Sequence, residues 1–455
     1  MTTNYSNIDL SDKKLVDLRE IAKSMGIKSI SLYKKSELID KIKSLSESLE
    51  NDDTKDNTDD SYLDTEDNDD NFDLGKKFDT EGLLELHPDG YGFLRTRSYE
   101  SSNDDIYVSP TQIRRFKLKT GDYISGIARI KRDKDKFSPL IFVSLVNGIS
   151  PIDSYNRPNF ENLTPIFPHD KIKLEVKEND YANRIIDLVS PIGKGQRGLI
   201  VSPPKAGKTT ILKSIEKAIE RNNYDIKIIV LLIDERPEEV TDIERFVNQY
   251  RDENDNFMRT EVVASTFDEF PQKHIDTAEL VIERAKRYVE GGKDVVILMD
   301  SITRLSRAYN IMTPQSGRTL SGGLDPMALV GPKKIFGSAR NIEGGGSLTI
   351  IATALVDTGS RMDDMIYEEF KGTGNMELQL DRRLSEKRVY PAINIFKSGT
   401  RRDDLLQTKQ ELECMYKIRS LDKADELKTC EWFINNIKST KSNDQYIKGI
   451  NDQIQ

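Results

Sequence analysis

The segment from Ser202 to Thr209, with the sequence SPPKAGKT, constrains the fold more than any other part of this chain. It directly follows an apolar run and directly precedes a segment with helical spacing, which is the setting of the GxxxxGK[ST] phosphate-binding loop. Ser202 stands where that pattern has its first glycine, whereas Gly207, Lys208 and Thr209 match it. A glycine turn before an ordinary helix is the alternative, but the strand and helix on either side favour the phosphate loop.

Each residue type in this loop has a physical role in holding a nucleotide. Backbone N–H groups at a helix N-terminus bind phosphate oxygens, a lysine neutralises the β- and γ-phosphates, and a hydroxyl ligates magnesium. We therefore predict that Lys208 contacts the phosphates and that Thr209 is a magnesium ligand. Lys205, Ala206 and Gly207 complete the predicted nucleotide-binding loop.

From about residue 178 onward, apolar segments of strand length alternate with segments of helical periodicity. The helical segments include residues 209–220 and 274–289. This alternation predicts an α/β domain with a parallel sheet covered by helices on both faces, and such sheets bind ligands at the carboxyl ends of their strands. The predicted strands are 198–201, 227–233, 262–265, 295–299 and 348–354.

Acidic residues close two of these predicted strands. Asp300 ends the fourth, at the position of a Walker B aspartate that shares the magnesium with Thr209. Asp234 and Glu235 end the second, and Glu235 is the candidate base that activates the attacking water. A plainer alternative exists for each, because an aspartate can begin a turn and two adjacent carboxylates can cap a helix.

Residues 81–146 differ in texture, with short β-type segments separated by turn residues. Five strands at this spacing predict a small closed barrel, for which the oligonucleotide-binding (OB) or cold-shock fold is the simplest candidate. Tyr91, Phe93 and Arg95 alternate along one segment, so their side chains face the same side. They either stack on bases and contact phosphate or fill the barrel core. The predicted strands are 82–86, 92–95, 105–109, 123–130 and 140–145.

The acidic charge of the chain is concentrated in one segment. The 455 residues carry a formal net charge of −9, but residues 50–73 contain twelve acidic residues and one lysine, which leaves +2 for the remainder. A segment so charged and so poor in apolar residues predicts a disordered linker. We therefore divide the chain into a small helical module (1–49), an acidic linker (50–78), a barrel (79–150), a connector (151–177) and a P-loop domain with C-terminal helices (178–455).

Two kinds of protein are disfavoured by composition. The sequence has no run of 18 or more apolar residues and begins with a polar stretch, so we expect no membrane association. Cys414 and Cys430 lack the paired spacing and the neighbouring histidines of a zinc site. They are therefore expected to be inert thiols in a reducing cytoplasm.

Long motifs occur throughout the chain outside the acidic segment. They include DERPEEVT at 234–241, DSITRL at 300–305, YEEFKGTGNMEL at 367–378, SGTR at 398–401, DGYGFLR at 89–95 and DIYVSP at 105–110. Together with the phosphate loop, these motifs resemble the Rho family of bacterial transcription termination factors. The resemblance implies a RecA-like P-loop ATPase domain preceded by an OB-like RNA-binding barrel and an N-terminal helical module.

The same resemblance implies a function. Members of this family are expected to be RNA-dependent ATPases and RNA/DNA helicases that form a homohexamer, capture nascent RNA, translocate along it and release it from RNA polymerase. The implied cofactors are ATP and Mg²⁺. The implied partners are single-stranded RNA, further copies of the chain, RNA polymerase and transcription elongation factors, all in the cytoplasm.

The resemblance also assigns roles that spacing alone does not reveal. Arg401 matches the arginine finger, Arg388 matches a second catalytic arginine near the nucleotide, and Tyr390 matches an aromatic residue that packs on adenine. Thr210 belongs to the implied nucleotide site, but it replaces a larger apolar residue beside the adenine.

Further residues are implied to contact RNA. Tyr107 and Phe137 match base-contacting positions of the barrel. Two loops, at 312–323 and 357–361, resemble loops that grip RNA inside the ring, and in each of them an arginine replaces a lysine. Their implied RNA contacts are Arg318, Thr319, Ser321, Gly322, Ser360 and Arg361.

Two other departures and two other functions have to be considered. The connection at 249–259 is longer than in the family, and the acidic linker separates the helical module from the barrel.

A DNA motor shares the P-loop sheet, and stacking residues alone do not distinguish DNA from RNA. An RNA-binding scaffold that binds nucleotide without hydrolysing it is the second alternative. The aromatic barrel disfavours the first, and the intact catalytic set disfavours the second.

Overall fold

The computed structural model describes residues 35, 76–97, 99–132, 135–249, 260–421 and 425–453. The predictions for the helical module, for the acidic linker up to residue 75 and for most of the long 249–259 connection fall outside these described residues. The strands and helices below are numbered along the described chain.

Five strands form a closed barrel in the order β1-β2-β3-β5-β4, with β4 returning to β1. All pairs are antiparallel except β3 with β5. Alternate side chains fill the interior, among them Leu84, Leu94 and Ile124, and they leave the intervening side chains on the outer face. This confirms the barrel predicted from the sequence. The strands are β1 (Lys77–Leu86), β2 (Gly92–Arg95), β3 (Ile106–Val108), β4 (Tyr123–Arg129) and β5 (Ser138–Val146).

A short helix, α1 (Pro110–Phe116), packs on the barrel core through Ile113. Its start is fixed by a capping box, in which the Ser109 side chain accepts from the Gln112 backbone and the Gln112 side chain accepts from the Ser109 backbone. A second short helix, α2 (Pro151–Tyr155), begins the connector to the P-loop domain.

The P-loop domain is built on a nine-stranded sheet, whose main path runs β14-β13-β7-β12-β10-β8-β9. Strands from β13 to β9 are parallel, β14 is antiparallel to β13, and β11 pairs antiparallel with both β12 and β6. The five strands expected from the sequence are β7, β8, β9, β10 and β12, whereas the other four were not anticipated. The bounds are β6 (Pro165–Ile166), β7 (Arg197–Ser202), β8 (Ile226–Glu235), β9 (Thr260–Thr266), β10 (Asp294–Asp300), β11 (Arg340–Ile342), β12 (Ser347–Leu355), β13 (Met376–Gln379) and β14 (Gly399–Thr400).

Helices cover both faces of this sheet. Along β8 the side chains alternate between two cores, with Ile228 and Val230 in one and Ile229 and Leu231 in the other. A strand buried on both faces needs an apolar residue at every position, which explains the continuous apolar runs in the sequence. One core holds α3 (Tyr181–Val189), α4 (Lys208–Asn222), α5 (Pro237–Asn248), α10 (Arg382–Glu386), α11 (Lys409–Ser420), α12 (Glu426–Lys438) and α13 (Asn443–Gln453); the other holds α6 (Pro271–Glu290), α7 (Ile302–Met312), α8 (Val330–Gly337) and α9 (Arg361–Lys371).

The barrel sits directly on α6. Arg284 on this helix donates to the Gly121 carbonyl at 3.3 Å and to Asn147 Oδ1 at 2.7 Å, and both acceptors lie in barrel turns. Gly121 approaches the helix so closely that an added Cβ would lie 2.4 Å from the Glu283 carbonyl carbon. The residue at this turn must therefore be glycine for the barrel to pack against α6.

Both cysteines are buried and form no disulfide. Cys414 and Cys430 are free and buried in the first core, and burial raises the pKa of the Cys430 thiol to about 11. A thiol with so high a pKa is a poor nucleophile at neutral pH. In the described part of the chain, no helix combines the length and the apolar character that crossing a membrane requires.

Candidate nucleotide site and nucleic-acid interface

The loop between β7 and α4 presents backbone N–H groups at a helix N-terminus. Gly207 is the N-cap of α4 and has φ of +95°, a conformation that glycine adopts with little strain. No side chain caps this helix end, so its first N–H groups remain open to a ligand such as phosphate. Ser202, the departure from the glycine pattern, is buried and donates to the Pro203 carbonyl oxygen at 2.9 Å.

The structure brings Lys208, Asp300 and Glu235 together at the carboxyl edge of the sheet. Lys208 Nζ lies 2.5 Å from Asp300 Oδ1 and 3.8 Å from Glu235 Oε2. Thr353 on β12 donates to Asp300 Oδ1 at 2.7 Å and orients that carboxylate. Thr209 is the second residue of α4, immediately after this lysine. The predicted phosphate-binding, magnesium-binding and base residues therefore form one cluster.

Glu235 has the environment of a carboxylate prepared to accept a proton. It is 2% exposed, and its Oε2 atom has no hydrogen-bond partner in the described part of the chain. Burial raises the pKa of Glu235, the nearby Asp300 charge adds to the rise, and Lys208 and Arg304 oppose it. A raised pKa brings a carboxylate closer to the proton affinity that general base catalysis at neutral pH requires.

Arg304, to which the sequence analysis gave no role, belongs to this cluster. Its Nη2 lies 3.5 Å from Glu235 Oε1, and its Nη1 lies 3.7 Å from Asp234 Oδ2. One guanidinium thus bridges the two acidic residues that end β8. The only sequence signal for it was its place in the DSITRL motif, four residues after Asp300.

Arg388 and Tyr390 lie on the same side of the sheet as the phosphate loop. They follow α10 in the segment after β13, whose last residue, Gln379, pairs with Val201 near the end of β7. Both side chains are exposed, as is Thr210 on the first turn of α4. Their position at the carboxyl edge agrees with contacts to the base and phosphates of a nucleotide.

Arg401, in contrast, lies at the amino ends of the parallel strands, at the opposite end from the phosphate loop. Its backbone N–H donates to the Asn375 carbonyl oxygen at 2.8 Å, and Asn375 Oδ1 accepts from the backbone of Arg197, the first residue of β7. The phosphate loop begins where β7 ends, at Ser202, and a strand rises by roughly 3.3 Å per residue. The loop therefore lies several residues further along the strand than Arg197. The structure therefore does not bring Arg401 to the phosphate loop of its own chain.

The two loops that resemble RNA-gripping loops pack against each other. Gly322 has φ of +79°, and an added Cβ there would lie 2.4 Å from the backbone nitrogen of Met362, at the start of α9. Arg318 and Arg361 are both exposed on this joined surface. Thr319 and Ser321 are also exposed, and Ser360 is half-buried as the N-cap of α9.

A bidentate ion pair connects these loops to the helix that follows Asp300. Arg307 on α7 donates through Nε and Nη2 to the two oxygens of buried Asp363 on α9, at 2.8 and 2.7 Å. Thr358 donates to the same carboxylate at 2.7 Å. Two parallel hydrogen bonds fix geometry more strictly than one, so these two loops are held at a defined distance from α7.

Four aromatic rings form a half-exposed cluster on the outer face of the barrel. Phe93 lies 4.8 Å from Phe137, 5.7 Å from Tyr91 and 6.1 Å from Tyr107, measured between ring centroids. None of the four belongs to the apolar core of the barrel. An outward aromatic surface of this kind can stack on unpaired bases, which a ring in the core cannot do.

Arg95 lies beside these rings, but its charge is already paired. Its guanidinium lies 5.6 Å from the Phe93 ring centroid, donates to Glu85 Oε2 at 2.8 Å and pairs with buried Asp105. Sequence analysis assigned no role to Glu85 or Asp105. The pairing fixes the guanidinium plane next to the rings, and the buried Asp105 carboxylate also accepts from the Ser102 backbone and hydroxyl.

Three family models match this chain. The ATP synthase alpha/beta family nucleotide-binding domain covers residues 182–400. The Rho termination factor RNA-binding domain covers 80–152, and the Rho termination factor N-terminal domain covers 9–45. The matched ranges contain strands β7 to β14 of the sheet, most of the barrel and most of the sequence of the helical module.

Curated relatives match over nearly the whole chain. Transcription termination factor Rho of Aquifex aeolicus is 48% identical over 452 residues, which is 98% of this chain and 96% of the relative. The Rho proteins of Pseudomonas aeruginosa and Bacillus subtilis are 55% and 54% identical, each over 82% of this chain and over 88% and 85% of the relative.

Among solved structures, a prototypical ATPase from the type III secretion system of pathogenic bacteria has a similar fold. Its TM-score is 0.52 at 22% identity, and the match covers 64% of this chain and 87% of that one. With the family models, this confirms the expected fold class, a RecA-like P-loop domain preceded by an OB-like barrel. On the identity and coverage of its relatives, the chain belongs to the transcription termination factor Rho family.

Proposed function

We propose that the chain is an RNA-dependent ATPase and RNA/DNA helicase that works as a homohexamer. It binds nascent RNA, translocates along it in the cytoplasm, and terminates transcription by releasing the RNA from RNA polymerase, with elongation factors as further partners. One observation carries the proposal: the buried Lys208–Asp300–Glu235 cluster and the outward aromatic surface of the barrel belong to the same chain and are joined through α6.

The nucleotide site suits ATP with Mg²⁺. Oxygen atoms of a hydroxyl and a carboxylate are the ligands that Mg²⁺ prefers, and Thr209 and Asp300 supply them beside the open end of α4. Glu235 Oε2, which has no hydrogen-bond partner among the described residues and lies 3.8 Å from Lys208 Nζ, faces the same cluster, as expected for an atom that bonds a ligand. Bound Mg²⁺ supplies positive charge that stabilises the phosphate oxygens.

The protein side chains then divide the work of hydrolysis. Lys208 neutralises phosphate charge, and Gly207 together with the first N–H groups of α4 holds the phosphate oxygens. Glu235 orients a water molecule and accepts its proton, because its raised pKa favours proton uptake. Tyr390 packs on the base, and Arg388 contributes charge near the phosphates.

Arg401 acts on the nucleotide of a neighbouring copy. Its place at the amino ends of the parallel strands, next to Asn375, keeps it away from the phosphate loop of its own chain. In a closed ring, contacts between copies are heterologous, so a residue of one subunit can meet a different patch of its neighbour, here the nucleotide site. An arginine supplied in this way stabilises charge in the transition state.

RNA contacts two surfaces in this proposal. Bases stack on Tyr91, Phe93, Tyr107 and Phe137, with the paired guanidinium of Arg95 at the edge of the rings. The joined loops at 312–323 and 357–361 grip the strand inside the ring through Arg318 and Arg361. Since Asp363 and Arg307 tie these loops to α7, RNA in the ring is coupled to the site that begins at Asp300.

The first experiment compares steady-state ATP hydrolysis without polynucleotide, with a pyrimidine-rich RNA and with DNA of the same sequence. We expect stimulation by RNA that is lost in Glu235→Gln, although this variant still binds ATP. Equal stimulation by DNA would favour a DNA motor, and no stimulation by either would favour a nucleotide-gated scaffold. A transcription assay that measures release of RNA from stalled polymerase then tests termination itself.

A further inference from the structure

A buried histidine, His274, lies next to the last residues of β8 and has no role in the function proposed above. His274 on α6 is 4% exposed, whereas His87 and His169, the other two histidines, are exposed. Its Nδ1 lies 2.9 Å from Ser265 Oγ on β9, and its Nε2 lies 3.9 Å from Asp234 Oδ1. The imidazole therefore connects β9 to the residue before Glu235.

Asp234 is the extra residue of a β-bulge. The pairing of β8 with β9 passes from Ile233 opposite Ser265 to Glu235 opposite Thr266, and Asp234 has no partner between them. Its φ is +57°, in the left-handed region that costs a residue with a side chain about 1 kcal/mol or more. Such a conformation persists only where the surroundings hold it, and bulges beside active sites set the direction of neighbouring side chains.

Two nitrogen-bearing side chains lie near the Asp234 carboxylate, each beyond direct hydrogen-bond distance. His274 Nε2 approaches one oxygen at 3.9 Å, and Arg304 Nη1 approaches the other at 3.7 Å. On the backbone, Phe267 N–H donates to the Glu235 carbonyl oxygen at 3.1 Å. At these distances the two side chains act on the Asp234 carboxylate through charge and dipole, whereas the backbone hydrogen bond fixes the residue that follows it.

We propose that His274, oriented by Ser265, is a positioning residue that holds the Asp234 bulge and thereby directs Glu235 at the attacking water. The inference rests on the proposed ATP hydrolysis and adds to it a residue outside the nucleotide site. In its neutral form the imidazole accepts from the Ser265 hydroxyl through Nδ1 and directs Nε2–H at the Asp234 carboxylate. Burial lowers the pKa of His274, Asp234 and Glu269 oppose this effect, and Arg304 adds to it.

Substitutions that differ only in hydrogen bonding test this role. His274→Phe keeps a ring but removes both polar atoms, and we expect it to lower kcat of RNA-stimulated ATP hydrolysis by about 10- to 100-fold, because a small misplacement of a catalytic group has effects of this size. KM for ATP should stay within about twofold, since the phosphate loop is untouched. His274→Gln should restore most of kcat, because its amide can accept from Ser265 and donate to Asp234.

Controls separate positioning from folding. His169→Gln changes an exposed histidine and should behave as the wild type. If His274→Phe fails to fold, Ser265→Ala provides the milder test, with the same loss in kcat at unchanged KM. Wild-type kcat in a folded His274→Phe or Ser265→Ala protein would overturn the proposal. Equal losses in the Phe and Gln variants would also overturn it.

An NMR measurement keeps this test separate from the proposed function. With only three histidines, the imidazole resonances can be assigned from His→Gln variants, and we expect that of His274 to shift in Asp234→Asn and in Ser265→Ala. An unshifted resonance would show that His274 does not interact with Asp234 and Ser265. If the shifts are seen but the wild-type protein has no RNA-stimulated ATPase activity, the proposed function is contradicted. The interaction of His274 with Asp234 and Ser265 is then still supported.

Discussion

Glu216 shows how burial makes the stability of this fold depend on pH at a single residue. It lies on α4 and is 2% exposed; its Oε1 accepts from Thr260 Oγ1 at 3.0 Å, and its Oε2 has no hydrogen-bond partner among the described residues. Burial raises the pKa of Glu216 to about 7, the negative charge of Glu220 adds to the rise, and Lys217 opposes it. The folded protein therefore holds a proton that the unfolded chain releases at lower pH.

The sign of the pH effect follows from this difference. A raised pKa in the folded state contributes stability that is complete below the pKa of the unfolded carboxyl group and is lost as the pH rises through about 7. Between pH 5 and 8 we expect the wild type to lose about 2 kcal/mol more free energy of unfolding than Glu216→Gln. Urea unfolding at several pH values measures this, with exposed Glu413→Gln as a control that keeps the wild-type slope. Parallel slopes for wild type and Glu216→Gln would contradict the prediction.

Single residues of the site could be predicted where they lie in a contiguous motif. Lys208, Asp300 and Glu235 follow strands whose carboxyl ends meet, and the structure places them together. Arg304 and His274 could not be found in this way, because they reach the site from helices on one face of the sheet, and sequence spacing does not record which helix residue faces which strand end. Such contacts depend on tertiary packing.

Among the elements, the loops at 312–323 and 357–361 depend on one close approach between Gly322 and the start of α9. A methyl group at Gly322 would collide with the Met362 backbone nitrogen at 2.4 Å, whereas one at Gly323 would meet only Met362 Cε, at 4.0 Å. Both glycines have positive φ, so either alanine costs about 1 kcal/mol through backbone strain. Only Gly322→Ala should separate the loops.

This pair gives a matched experiment on coupling. We expect Gly322→Ala to reduce RNA stimulation of ATP hydrolysis by about 10-fold, because the loops lose their fixed geometry, while Gly323→Ala should lose less than about 3-fold. RNA binding to the barrel should be unchanged in both. Equal effects of the two substitutions would show that backbone strain, rather than the contact between the loops, limits stimulation.

Helix α6 joins the barrel to the sheet through a polar cluster in which Arg284 is buried and Tyr99, Glu261 and Tyr288 are half-buried. Tyr288 donates to Glu261 Oε1 at 2.9 Å and accepts from Arg284 Nη2 at 2.8 Å, and Tyr99 donates to Glu261 Oε2 at 2.7 Å. Tyr288→Phe leaves these partners unsatisfied, so we expect a loss of about 1–3 kcal/mol in the free energy of unfolding. Exposed Tyr416→Phe should change it by less than about 0.5 kcal/mol. Faster hydrogen exchange in α6 and β9 of the first variant would locate the loss at this junction.

The elements themselves were predictable to the extent that burial repeats along them. The continuous apolar runs of β7, β8, β10 and β12 identify strands covered on both faces, and the predicted order of strand, loop and helix is confirmed. Strands β6 and β14 have two residues each, too few for any periodicity to show. Their presence depends on pairing with β11 and β13, which are remote in sequence.

At the scale of the whole molecule, the proposed arginine-finger role of Arg401 would make ATP hydrolysis a property of two copies. Arg401 lies at the amino end of β7 and Lys208 follows its carboxyl end, so a complete site as proposed above takes these residues from different chains. Lys208→Ala and Arg401→Ala should each be inactive as pure proteins. In rings assembled from both, about a quarter of the interfaces pair an intact lysine with an intact arginine, if the copies mix at random.

Co-expression of the two variants with different affinity tags, followed by purification over both, isolates such mixed rings. We expect them to recover RNA-stimulated ATP hydrolysis, up to about a quarter of the wild-type rate, because phosphoryl transfer needs both charges at one interface. The matched control replaces the Lys208→Ala chain with the double variant Lys208→Ala/Arg401→Ala, which leaves no intact arginine in the ring. Its mixed rings should stay inactive. If the first mixture stays inactive as well, although both tags are present in one assembly, Arg401 does not act across the interface, and the trans arrangement inferred from the sheet is wrong.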